Sequence, residues 1–359
     1  MLLKLSLMRN MKSVAAATFL TIVVVGCTDP AIEKGSIIAA GQMPNLTKDR
    51  KNDLHLVYGA GDSIMYRSSV NDGKSFSEPT LIGVLPGLAA SHMRGPQIAA
   101  TSEGLSAIAC NSSGNIFSYT MDENGKWTAT AKVNDEDTVA KEGLMALSAD
   151  GPDAFAIWLD LRGNEHNKIF GSRSNDGGKT WSKNFLVYSS PDGSVCECCK
   201  PSTLVKGHRV YVMFRNWLSG NRDLYLIESA DGGKTFGQAH RLGEGSWQLD
   251  GCPMDGGAFV VTESGSTETV WKRKGNIYSC EPGKPEEKIG EGRNCTMENV
   301  NGKNVYAWTE NGKVVILKPG AKKEKLGDGS LPILKSLDNA HVLCVWENEK
   351  QIHSSIVAL

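Results

Sequence analysis

An eight-residue pattern recurs along this 359-residue chain and constrains its fold more than any other feature. Ser174-Asn175-Asp176-Gly177-Gly178-Lys179-Thr180-Trp181 returns as Ser229-Ala230-Asp231-Gly232-Gly233-Lys234-Thr235-Phe236. A weaker copy is Ser69-Val70-Asn71-Asp72-Gly73-Lys74-Ser75-Phe76, and a degenerate one surrounds Asn124-Gly125-Lys126-Trp127. The glycines at 73, 125, 178 and 233 lie 52, 53 and 55 residues apart. A fixed period of this length marks an array of like supersecondary units. Within each copy the short polar side chains can bond the turn backbone, glycine supplies a positive φ, and the aromatic ring can pack beneath the turn. The flanking segments, such as Arg209-Val210-Tyr211-Val212-Met213-Phe214, are short, rich in β-branched and aromatic residues, and bounded by Gly, Asn and Asp. They predict strands. No long amphipathic helix is visible after residue 27.

The form Ser-x-Asp-x-Gly-x-Thr-Trp resembles the Asp-box, or BNR repeat, of the sialidase (neuraminidase) superfamily of β-propellers. The resemblance implies an all-β fold, a single β-propeller of four-stranded blades, with the box as a structural turn between the outer two strands of a blade. Innermost strands are expected near Met43, Arg94, Gly143, Lys200, Pro253, Thr296 and Leu331. That makes seven blades; catalytic sialidases have six, which is the alternative count. The last unit has only three strands, ending at Gln351 to Ala358, and Ser36 to Ala40 would supply the fourth. Closing the ring in this way removes exposed strand edges.

The amino terminus sets the compartment. A basic start precedes an uncharged apolar run, Val14 to Gly26, too short to span a bilayer comfortably. It ends in Val24-Val25-Gly26-Cys27, which resembles a bacterial lipobox. That resemblance implies a signal peptide over 1–26, lipidation of Cys27, a tether over 27–34 and a propeller over 35–359. A plain secretory signal or a single anchor helix are the alternatives. Thr28, in place of an aspartate, points to the outer membrane of a Gram-negative envelope. The nine cysteines suit an oxidising space better than a reducing cytosol. A net charge of -1 argues against nucleic acid as a partner.

A four-stranded blade puts the loop between its second and third strands, and the start of the next innermost strand, on one face. The boxes lie on the other. The first face receives His92, Arg293 and the four arginines Arg94, Arg162, Arg215 and Arg222, whose guanidinium forks could converge on an anionic or sugar ligand. The sialidase resemblance implies arginines holding a substrate carboxylate; ordinary ion pairs between blades are the alternative. Met93-Arg94-Gly95-Pro96 keeps the Arg-x-Pro of the family's Phe-Arg-Ile-Pro motif but follows the first box. Asp160 and Asp255 are candidate catalytic acids and Glu165 a candidate helper for glycoside hydrolysis with a tyrosine nucleophile. Solvated rim carboxylates are the other reading. No tyrosine sits plainly on the rim, Tyr58 being the nearest. Trp158, Trp308 and Trp346 recur in second strands, for packing between blades or for stacking on sugar.

The same face gathers cysteines. Cys196-Glu197-Cys198-Cys199-Lys200-Pro201 opens one innermost strand and Gly251-Cys252-Pro253-Met254-Asp255 the next. One disulfide between Cys252 and one of the three would brace the rim. Thiolates with Met254 or His166 would instead make a soft-metal site, suited to copper(I). Cys196-x-x-Cys199-Lys200 also resembles a variant covalent-haem motif with lysine in place of histidine. Three functions therefore stay open: an exo-glycosidase acting on an anionic or terminal sugar, a non-catalytic glycan- or protein-binding propeller, and a metal-handling envelope protein.

Overall fold

Seven four-stranded antiparallel sheets account for all the strands of the computed structural model, which describes residues 35–164 and 166–359. The signal segment, Cys27, the tether over 27–34 and Glu165 lie outside the described residues. The innermost strands are Gln42–Lys48, Gln97–Thr101, Met145–Asp150, Ser202–Lys206, Gly257–Val261, Arg293–Val300 and Ser330–Ser336. Each packs beside the next, and the last packs beside the first, so the sheets form a closed ring. The blades are numbered here in chain order from blade 1 (42–84) to blade 7 (330–358). The count is the seven expected, and six is excluded.

Blade 7 is completed from the other end of the chain. Ser36–Ala40 pairs antiparallel with Gln351–Ala358, Ser36 opposite Ser354 and Ala40 opposite Gln351. The second strands are buried almost throughout, as in Leu54–Ala60 and Asp153–Asp160, because each blade is covered on both faces by its neighbours. A strand covered on both faces reads as a continuous apolar run.

The boxes form the turns that their sequence predicts. Ser174 Oγ donates to Asp176 Oδ1 (2.7 Å) and accepts from the N–H of Gly178 (2.8 Å). Asp176 accepts from the N–H and hydroxyl of Thr180 at 2.9 and 2.6 Å. The same four bonds recur at Ser229, Asp231, Gly233 and Thr235. Gly178, at φ 90°, lies so close to Ser106 that a Cβ there would overlap its hydroxyl.

Blades 5 to 7 lack boxes and carry a different device. Leu242-Gly243-Glu244-Gly245, Ile289-Gly290-Glu291-Gly292 and Leu326-Gly327-Asp328-Gly329 occupy the outer edges of blades 4, 5 and 6. The first glycine of each abuts the indole in the second strand of the following blade, Trp271, Trp308 and Trp346, with Glu286 also crowding Gly243. Gly41, after the strand that closes blade 7, meets Tyr58 of blade 1 in the same way. Trp158, Trp308 and Trp346 are completely buried, so their role is packing between blades, not sugar stacking. Tyr58, at 2% exposure, belongs to that packing too and is not on the rim.

Candidate functional site

The innermost strands begin irregularly on the face away from the boxes. Prolines stand near the starts of five of them: Pro96 and Pro201 immediately before, Pro253 four residues before, and Pro44 and Pro332 as third residues. Proline has no N–H to lend to a ladder and is tolerated at a strand's first residues. Bulges follow Gln42, Arg293 and Ser330 and re-aim the side chains there. The result is a mouth of about 460 Å³ lined by Gln42, Ser91, His92, Met93, Met254, Arg293, Asn294, Ser330, Leu331 and Glu347. Below it, Met43, Lys200, Asn294 and Leu331 help to line a channel cavity of about 220 Å³. Lys200 Nζ donates to Gln97 Oε1 at 2.8 Å, bridging blades 2 and 4, and its burial pushes the ammonium down to about 8.

Five residues lining the mouth are non-glycine residues in the left-handed region: His92 (φ 50°), Met93 (71°), Met254 (45°), Asn294 (53°) and Leu331 (58°). Such conformations cost of order 1 kcal/mol or more each and gather at functional sites. Glu347 ties blade 7 to blade 1 there, accepting from the Met43 N–H at 2.8 Å. His92 and Arg293 are exposed, and the Arg293 guanidinium has no hydrogen bond or ion pair among the described residues, although its charge acts on the buried Asp255.

The arginines expected to converge on a ligand are each committed internally. Arg94 pairs with Glu142 at 3.2 Å. Arg162 pairs with Asp160 at 2.9 Å and Asp135 at 3.0 Å, and lies over the Phe170 ring. Arg215, 1% exposed, donates to the carbonyls of Arg222 and Lys272. Arg222, 4% exposed, pairs with Glu197 at 3.2 Å and donates to Cys196 Sγ at 3.1 Å. Only Arg215 and Arg222 share a neighbourhood, and what they share is the cysteines, not a solvent-facing anion pocket. The acids are equally withdrawn. Asp160 is completely buried and accepts from Trp158 Nε1 and from three N–H groups of Arg162. Asp255 is completely buried as well, bonded to the Asn294 N–H at 2.8 Å with its second oxygen unpartnered. Burial holds its carboxyl above the ordinary value, against the pull of Lys272. Solvated rim carboxylates were the other reading, and neither acid is one.

The cysteines do come together. Cys198 is disulfide-bonded to Cys252, joining the starts of blades 4 and 5. Cys196 and Cys199 are free, buried thiols, their sulfurs 3.5 Å apart, and Cys196 Sγ lies 3.8 Å from Cys198 Sγ. The hydrogen bond with Cys199 lowers the Cys196 thiol to about 7; burial opposes, and Arg215 and Arg222 assist. Burial moves Cys199 the other way. Met254 lines the mouth, and His166 is exposed and not among the residues that group with the sulfurs. The scattered Cys110 and Cys344 are buried thiols pushed up by burial, Cys110 to about 12.

No family model matches the chain, and no curated protein matches it. Solved structures do. An α-L-arabinofuranosidase from Fusarium graminearum, in complex with an iminosugar inhibitor, aligns over 89% of this chain and 93% of its own at 13% identity, with a TM-score of 0.52. A polysaccharide lyase, an ulvan lyase bound to -[GlcA(1-4)Rha3S]-, aligns over 91% and 95% at 10% identity, also at 0.52. A sialidase from Streptococcus pneumoniae aligns over 92% and 71% at 13% identity, at 0.48. What the chain shares with the arabinofuranosidase and the lyase, both at 0.52, is the fold. These propellers act on or bind carbohydrate; the chemistry of the present chain has to come from its own side chains.

Proposed function

We propose that this protein is a lipid-anchored envelope propeller that binds an acidic saccharide at the mouth of its central channel, without hydrolysing it. The strained mouth carries this reading. Five left-handed non-glycine residues shape it, and the exposed Arg293 stands in it with no hydrogen bond or ion pair from its guanidinium among the described residues, its field reaching the buried Asp255. An exposed guanidinium offers a fork to a carboxylate or sulfate, while Gln42, Ser91, His92 and Asn294 offer hydrogen bonds to hydroxyls. Binding without turnover is favoured because Asp160 is buried under Arg162 and Tyr58 is locked between blades. Lipidation at Cys27 and an outer-membrane address belong to the same proposal.

The test is calorimetric titration with uronic-acid, sulfated and sialylated oligosaccharides, run beside assays for released sugar. Loss of one charge-assisted contact costs about 1.5–3 kcal/mol, roughly ten- to a hundredfold in affinity. Arg293→Ala is expected to weaken acidic saccharides by that factor and to leave neutral ones alone. Turnover of any substrate by the unmutated protein overturns the non-hydrolytic reading. Binding indifferent to Arg293, or none at all, overturns the site.

A further inference from the structure

None of the clustered cysteines lines the saccharide mouth, and the cluster has its own chemistry. Cys196, Cys198 and Cys199 offer three sulfurs within 4.8 Å of one another, at 0%, 8% and 2% exposure. The Cys198–Cys252 bond takes one of them out of use and pins the turn to the next blade. Two sulfurs remain, 3.5 Å apart, on residues three positions apart in a turn closed by the Cys199 N–H and Cys196 carbonyl. No histidine or carboxylate joins the group among the described residues.

We propose that Cys196 and Cys199 form a two-thiolate site for a single copper(I) ion. Ligand number and type decide the metal. Thiolate sulfur selects soft ions, and copper(I) accepts two-coordination, whereas zinc asks for four ligands. Magnesium and calcium ask for oxygen. Binding releases both thiol protons, and one Cu⁺ between two thiolates leaves a net charge of -1. Arg222 answers that charge. Its Nη1 already donates to Cys196 Sγ, and its place is fixed by Glu197 on one side and by the Trp217 ring 4.8 Å away on the other. Arg215, almost completely buried nearby, adds a second positive charge. Glu197 already offsets part of the Arg222 charge, whereas the hydrogen bonds of Arg215 go only to carbonyls, so an anion formed at Cys196 and Cys199 would offset a desolvation cost that remains.

The experiment uses the full-length protein, purified anaerobically in detergent and given copper(I) as its bicinchoninate complex. One copper(I) per chain should pass from the chelator to the protein. Cys196→Ser and Cys199→Ser should each weaken retention at least a hundredfold, while Cys110→Ser, which alters a distant buried thiol, changes nothing. Arg222→Gln should lower affinity about tenfold with stoichiometry kept, and Arg222→Lys should recover part of it. Copper X-ray absorption on the unmutated protein gives a readout independent of whether the serine variants fold: only sulfur neighbours are expected. Oxygen or nitrogen neighbours overturn the proposal. So does failure to take copper(I) from the chelator, a Cys196–Cys199 disulfide in the freshly purified protein, or full retention by the double serine variant.

Discussion

Asp176 shows how much of a turn one carboxylate can organise. Burial works to raise its pKa, and bonds from the Thr180 hydroxyl and N–H, the Ser174 hydroxyl and the Lys179 N–H outweigh it, so the group sits below the ordinary carboxylate value. A depressed carboxyl contributes stability above its unfolded value of about 3.9 and loses it as pH falls towards the folded one. Asp176→Ala should therefore lower the melting temperature at pH 7 by a few degrees, for about 1 kcal/mol of lost hydrogen bonding. The gap from the unmutated protein should narrow below about pH 3. Equal gaps at pH 7 and pH 2.5 would refute the carboxylate's role. Asn71 already holds the equivalent place in blade 1, its amide donating to Ser75 Oγ at 2.9 Å, so Asp176→Asn should be milder. These residues were legible in the sequence because their partners are within four positions. The mouth was not. Its residues come from five blades, and Arg293, visible on the correct face, gave no reason to be preferred over four arginines whose partners only the fold reveals.

At the scale of strands and turns, the molecule uses two fastenings where the sequence displayed one. The boxes are conspicuous because eight positions repeat. The glycine against an indole is quieter, since Gly243, Gly290 and Gly327 repeat only as an apolar residue, Gly, an acid and Gly, at spacings of 47 and 37. Its meaning needs the neighbouring blade. Trp308 and Trp346 fill the space that a side chain at Gly290 or Gly327 would take. Gly327→Ala forces the Trp346 ring aside, an overpacking cost of about 1–3 kcal/mol. Differential scanning calorimetry should show a lower transition, and Trp346→Phe in the same chain should recover part of the loss by making room. A melting temperature unchanged by Gly327→Ala would remove this device from the account. The same comparison explains why blade boundaries could be placed from strand chemistry even where the boxes ran out: a second strand with a buried apolar stretch persists in every blade.

Taken whole, the ring depends on a strand from the far end of the chain. Ser36–Ala40 covers Gln351–Ala358, which is otherwise the open edge of blade 7. Deleting residues 35–41 should leave that edge unpaired and favour self-association, seen as larger species in light scattering. A monomeric, equally stable deletion would show that the seam is dispensable. The sequence made this closure readable, because the last unit is one strand short and an isolated apolar strand stands at the other end. It could not show which of the arginines on the mouth's face are spent on holding the scaffold and which stands exposed at the mouth.

The seam also imposes an order of events. Residues 36–40 are made first and cannot find their partner until residues 351–358 exist, so blade 7 stays incomplete through almost the whole of synthesis. Such long-range pairing is slow, because the loop must close before the contact is rewarded. A circular permutant that begins at Ser330, with Ser36–Ala40 following the present last residue through a short linker, would turn the slowest contact into a local one. It should refold faster with the same final structure, and the difference in refolding time would measure how long the natural chain waits for its own end.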